Sequence, residues 1–287
     1  MKLIRGYHRQ SGANGRYRVI AFHNAFHGRT LADIAAGGLK KLQLGFEPLV
    51  DGFDHVPFGD ITAVRAAVTE RTGAILLEPV QGDGGIWPAS PEFMQGLRRV
   101  ADEQGLLLVL DEVQCGVGRT GRLFAHEWAG ITPDVVAVAK GLGAGFPVGA
   151  CLATAKVAAV VAPGRHGSTL GGNPLAMAVA DAVLDVILED GFLDQVVANG
   201  RALSRGMNEV AARHPGVIKA VRGVGLMLGL ECVADNELLL TQLRKNGMLA
   251  ASASNNVVRF LPPLIIGSQH VDEALDILER SCQQIAA

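Results

Sequence analysis

A chain of 287 residues with 49% hydrophobic and 19% charged side chains can bury a large core, which excludes a disordered polymer and points to one large domain with or without a smaller one. Its 26 Lys+Arg against 28 Asp+Glu leave a formal charge of −2, too little positive field to grip a phosphate backbone, so no nucleic-acid partner is expected. No uncharged run reaches the roughly 18 residues of a spanning helix, and the opening segment lacks the apolar core of an export signal, so no membrane association is expected either.

Taken in chain order, the first residues read as the middle of a helix that leads into a strand at Arg18 to Phe22. Further short runs rich in Val, Ile and Leu, at Ala74 to Glu78, Leu106 to Leu110, Val135 to Ala139 and Val148 to Ala153, suit strands buried on both faces of a parallel sheet. Ser90 as N-cap, Pro91 at the first helical position, and Phe93, Leu97, Val100 and Ala101 on one face predict a helix that Gly105 stops. Asn173 and Pro174 repeat the signal for a helix carrying Ala176, Val179, Val183 and Ile187, and a second helix follows from Leu193 to about His214. Beyond them, strands at Val217 to Val221, Val224 to Leu230 and Val257 to Leu261, with helices near Glu237 to Lys245 and after Ser268, predict a smaller α+β unit. The expected division is 1–191 for a large domain and 192–287 for a small C-terminal one. The first sheet reads as short of an early strand and crossover, so a truncated start is expected.

The four cysteines, Cys115, Cys151, Cys232 and Cys282, form no CxxC pair and no zinc spacing, which points to reduced thiols in a cytoplasmic protein and to no metal. In open parallel sheets ligands bind at the carboxyl ends of the strands. There the sequence places Phe26-His27-Gly28-Arg29-Thr30, Glu78-Pro79-Val80-Gln81-Gly82-Asp83, Asp111-Glu112-Val113-Gln114 and Lys140-Gly141-Leu142-Gly143. Lys140, between an apolar strand and a glycine-rich turn, suits an amine that forms an imine, and equally a lysine that snorkels from a strand end. Asp111 is either a buried acid with a cationic partner or a solvated cap. Gly116 to Gly121 matches GxGxxG weakly, since five residues separate it from the strand and no amphipathic helix starts at its third glycine. His166 to Pro174 sets Ser168, Thr169 and three glycines before a helix, which suits phosphate oxygens or an ordinary capped loop. His126-Glu127 lacks the second histidine of HExxH, and no GxSxG elbow occurs.

Together these blocks, with Val258-Arg259-Phe260, resemble the class III aminotransferases over essentially the whole chain. The resemblance implies an α/β chain of pyridoxal-phosphate fold type I, a mostly parallel sheet with flanking helices plus the small C-terminal domain. It also implies pyridoxal 5'-phosphate as cofactor, an ω-amino acid of arginine or lysine metabolism as donor, 2-oxoglutarate as acceptor, and a homodimer. By the same resemblance Lys140, Asp111 and Glu78 are catalytic. Phe26, His27, Val113 and Gln114 surround the ring with Asp111 and Lys140, and Ser168 and Thr169 reach phosphate, Thr169 that of the neighbouring subunit. Arg29 and Arg259 clamp substrate carboxylates, and Asp83 stands where the family carries Glu as the partner that neutralises Arg259. Relative to the family the chain starts late, without the glycine-rich helix start that cradles phosphate, so a non-catalytic remnant and another ω-aminotransferase or aminomutase stand as alternatives.

Overall fold

The computed structural model describes residues 1–286. Twelve strands form among them: β1 Arg18–Phe22, β2 Phe53–Val56, β3 Thr72–Leu77, β4 Val80–Gln81, β5 Trp87–Pro88, β6 Leu107–Asp111, β7 Val135–Val138, β8 Ala150–Ala153, β9 Ile218–Val224, β10 Met227–Cys232, β11 Ala251–Ala253 and β12 Val257–Phe260. Six make one sheet in the order β2-β1-β3-β6-β7-β8. All its pairings are parallel except β7 with β8.

The two faces of this sheet follow from side-chain alternation. Ile20, Phe22, Ile75, Leu77, Leu108 and Leu110 pack on one side with Phe93, Leu97, Val100 and Ala101 of the helix Pro91–Gln104. Val19, Ala74, Leu107, Val109 and Val135 pack on the other with Ile4 of the helix Lys2–Gln10. The predicted helix signals operate as written. Ser90 Oγ accepts the Phe93 N–H at 3.1 Å, Gly105 takes the left-handed φ of 64° that ends the helix, and Asn173 Oδ1 accepts the Ala176 N–H at 2.9 Å.

The run Val148 to Ala153 departs from its expected parallel setting. It shortens to β8 and runs antiparallel at the sheet edge, because the link from β7 holds only a single turn of 3₁₀ helix, Lys140–Gly143, and a parallel crossover needs a full helix. Edge strand β2 has no apolar run to announce it: Phe53, Asp54 and His55 are only half-buried.

A second sheet, antiparallel in the order β11-β12-β10-β9, carries the helices Phe192–Arg213, Asn236–Lys245 and Ser268–Ala286. Leu203, Met207, Leu228, Leu230, Val258 and Leu278 lie at the centre of its own core. Among the described residues no helix is long and apolar enough to cross a membrane.

Candidate active site

The strand order β1-β3-β6-β7 sets four consecutive carboxyl ends side by side, and the polar segments singled out above follow them. Asp111 is the last residue of β6. Its Oδ2 lies 2.8 Å from His27 Nδ1 and its Oδ1 accepts the Val113 N–H at 3.1 Å. A carboxylate offers only acceptors, so Nδ1 carries the proton. The His27 side chain is 4% exposed and its Nε2 has no partner.

Glu78, 6% exposed, accepts the Phe26 N–H at 2.9 Å and the Gly82 N–H at 3.3 Å. Burial pushes its carboxyl up to about 7, with His27 pulling against that rise and Asp111 adding to it. Burial opposes the charged form of His27, but its hydrogen bond to Asp111 and the charges of Glu78, Asp111 and Asp33 outweigh it, and the imidazole titrates above its ordinary value. Glu78 and His27 are thus two buried groups that both hold a proton more tightly than they would in water, gathered beside the Asp111 carboxylate.

Phe26, half-buried, is fixed by its backbone bond to Glu78, and the exposed Arg29 guanidinium lies 5.6 Å from its ring centroid. Arg259 projects from β12, and its Nη1 donates at 3.0 Å to both Asp83 Oδ1 and Gln114 Oε1. Asp83 is thus long enough to reach the arginine. Arg259 Nε is buried without a partner.

Lys140 opens the 3₁₀ turn after β7 with φ +41°, a left-handed setting rarely adopted by a residue with a side chain. It is exposed at a cavity of about 840 Å³ that it shares with Gln114, Arg119, Val179, Val183 and Leu261. Asp111, whose strand register sets it beside Ala137 of β7, lines a different cavity of about 190 Å³ with His27 and Asp33. Adjacent strand ends thus carry the amine and the acid. Val113, half-buried, follows Asp111. Ser168 and Thr169 lie in an exposed segment lining neither cavity, and Ser168 Oγ accepts the Gly171 N–H at 2.9 Å as a loop cap.

Two residues of the site region had no assigned role in the sequence. Glu112, fully buried, accepts from Ala125 N at 2.6 Å, His126 N at 3.0 Å and His126 Nδ1 at 2.7 Å, and so closes the loop that carries Gln114. Its signal was an acid directly after a buried strand, and His126, which failed as a zinc ligand, is its partner. The other is Arg119, inside the glycine-rich loop.

This donor set fits pyridoxal phosphate in its chemistry. A half-buried carboxylate backed by an imidazole N–H suits a protonated ring nitrogen, Lys140 offers a primary amine at the larger cavity, and Phe26 offers a ring face.

A family model described as aminotransferase class-III matches residues 1–282. The acetylornithine aminotransferase of Brucella melitensis biotype 1 is 53% identical over 286 residues, covering 100% of this chain and 71% of that relative; that of Mesorhizobium japonicum is 51% identical, covering 100% and 72%. Among solved structures, the Toxoplasma gondii ME49 ornithine aminotransferase superposes with a TM-score of 0.94 at 29% identity, over 99% of this chain and 69% of that one. The N-acetylornithine aminotransferase of Stenotrophomonas maltophilia K279a gives 0.83 at 34% identity, over 99% and 71%.

Proposed function

The chain belongs to the class III aminotransferases, and on that premise we propose that it transfers the amino group of N-acetylornithine to 2-oxoglutarate, giving the semialdehyde and glutamate, in arginine biosynthesis. The observation that carries this reading is the Arg259 group. One guanidinium held at 3.0 Å by both Asp83 and Gln114 is a carboxylate receptor with its own internal acid. A pocket so built takes a dicarboxylic acceptor when the acid lets go and a neutral acyl-amine donor when it does not.

When bound, pyridoxal 5'-phosphate supplies an aldehyde that takes up the amine and a pyridinium ring that draws off electrons as the substrate C–H bond breaks. Lys140 Nζ would hold the cofactor and, once displaced by the donor amine, would take the proton off the substrate carbon and hand it back to the cofactor carbon. Asp111, its Oδ2 held by His27 Nδ1–H, would keep a pyridine nitrogen protonated, and Glu78 fixes the Phe26 backbone, whose phenyl ring would stack on the cofactor. Val113 would pack against the cofactor ring and Gln114 would approach its hydroxyl. Arg29 binds the carboxylate common to donor and acceptor, and Arg259 binds the second carboxylate of 2-oxoglutarate.

Residues 1–191 serve as the cofactor domain and 192–287 as the small domain. The reading includes a cytoplasmic homodimer in which Ser168 and Thr169 hold phosphate, Thr169 that of the neighbouring copy. Its support is the exposure of that segment and of the apolar Leu170, Leu175, Met177 and Val186 on and beside the helix Pro174–Ile187.

The test mixes the purified protein with pyridoxal phosphate and scans absorbance, then adds N-acetylornithine, ornithine or 4-aminobutyrate and identifies products. A near-visible band that shifts most with N-acetylornithine, and is lost in Lys140→Ala, supports the reading. No band overturns it, and a preference for ornithine or 4-aminobutyrate replaces the donor.

A further inference from the structure

The glycine-rich segment Gly116–Gly121 packs on the C-terminal unit: a Cβ on Gly121 would run into Val197 of the helix Phe192–Arg213. A Cβ on Gly118 would meet Leu264 at 3.1 Å, and one on Gly225, in the turn between β9 and β10, would meet the Thr120 carbonyl carbon at 2.6 Å and Arg119 O at 2.8 Å. Backbone lies on backbone along this seam, with no room for a side chain on Gly225.

Arg119 sits at the middle of the contact. Its carbonyl accepts the Leu226 N–H at 3.0 Å, and its Nη1 donates to Leu226 O at 3.1 Å and to Pro262 O at 2.5 Å. Its ionisation is shifted by burial alone, down to about 10, with no neighbouring acid to offset the loss of water. A buried guanidinium facing backbone carbonyls is a poor way to glue two surfaces, since apolar side chains of like volume do that with less desolvation. It is a good way to fix spacing, because the two N–H bonds of the planar Nη1 point to acceptors at set positions.

The carbonyls it holds flank the site. Pro262 follows β12, the strand of Arg259, and Leu226 leads into β10, which pairs Gly229 with Arg259. Arg119 itself lines the Lys140 cavity, together with Leu261 and Pro263.

We propose that Arg119 is a positioning residue: by holding the Leu226 and Pro262 carbonyls it sets the register of the Arg259 strand against Gln114 and Asp83, and so sets the affinity for the second carboxylate of a dicarboxylic substrate. The inference rests on the assignment of Arg259 as receptor for that carboxylate. Both Arg259 bonds are 3.0 Å long, and misplacing such a group by about 1 Å loses up to ~100-fold.

The experiment compares the wild type with Arg119→Met, which keeps bulk and removes both donors, Arg119→Lys, which keeps one point donor, and Gly225→Ala, which pushes the turn away from the far side. Three readouts are taken on each: KM and kcat for 2-oxoglutarate, calorimetric binding of the non-reacting dicarboxylate glutarate, and the cofactor absorbance band. Arg119→Met and Gly225→Ala are expected to raise KM and weaken glutarate by about tenfold or more. Arg119→Lys falls between them and the wild type, while kcat and the absorbance band hold. A loss of kcat with KM and glutarate affinity unchanged overturns the proposal, as does no change in the folded Arg119→Lys and Gly225→Ala proteins. If the wild type itself neither binds glutarate nor converts 2-oxoglutarate, the functional assignment is what fails.

Discussion

Replacing Asp83 by Asn removes the charge that competes for Arg259 while keeping the side-chain shape. Unit charges about 3 Å apart interact by roughly 5 kcal/mol at an effective dielectric constant near 20. Here the acid is 30% exposed against 13% for Arg259, and Gln114 shares the same Nη1, so the net grip is nearer 1–2 kcal/mol. A carboxylate entering the Asp83→Asn pocket no longer displaces that partner, so KM for 2-oxoglutarate falls by about 5- to 30-fold. The donor, which brings no carboxylate to this place, meets an unshielded cation and its KM rises. Steady-state kinetics with each substrate varied in turn gives both numbers. If the folded variant binds 2-oxoglutarate no more tightly than the wild type, Asp83 does not gate Arg259 and the argument for one pocket serving two substrates collapses.

Glu78→Gln flattens part of the pH dependence of stability. A carboxyl raised from 4.5 to about 7 contributes stability that is complete below the lower value and is lost as pH climbs through the upper one, an effect of roughly 3 kcal/mol. Urea melts at pH 5 and pH 8 should therefore show the wild type losing ground to the variant by that order, and parallel curves would contradict the buried acid. Glu112→Ala leaves the Ala125 and His126 amides and the His126 ring without their acceptor, and is expected to lower stability by about 3 kcal/mol or more, read as a drop in the urea midpoint. A loss under about 1 kcal/mol would show that water replaces the carboxylate.

The parts of the molecule legible in the sequence are those where one residue type has one physical use. Ser90 with Pro91, Gly105, and Asn173 with Pro174 cap the helices they were expected to cap, and the apolar runs at β1, β3, β6 and β7 lie buried in a parallel sheet. The polar residues after those strands do gather at one edge, since chain order and sheet order agree closely enough to make them neighbours. Strand direction at β8 was not legible, because the same apolar run serves either direction and only the length of the connection decides. Nor was β2, whose edge position relieves it of apolar alternation. Arg119 has no signature in the sequence because its partners are carbonyl groups, which every residue carries.

Because the two sheets meet through main chain at Gly225 and Thr120, their relative placement is insulated from most side-chain exchange. Val179, Val183, Val186 and Ile265, which also line the Lys140 cavity, stand by contrast on a helix and a loop away from that junction. Evolution or a protein engineer can therefore reshape the chamber for bulkier or leaner amines by exchanging these four, without disturbing the geometry that reads the carboxylate.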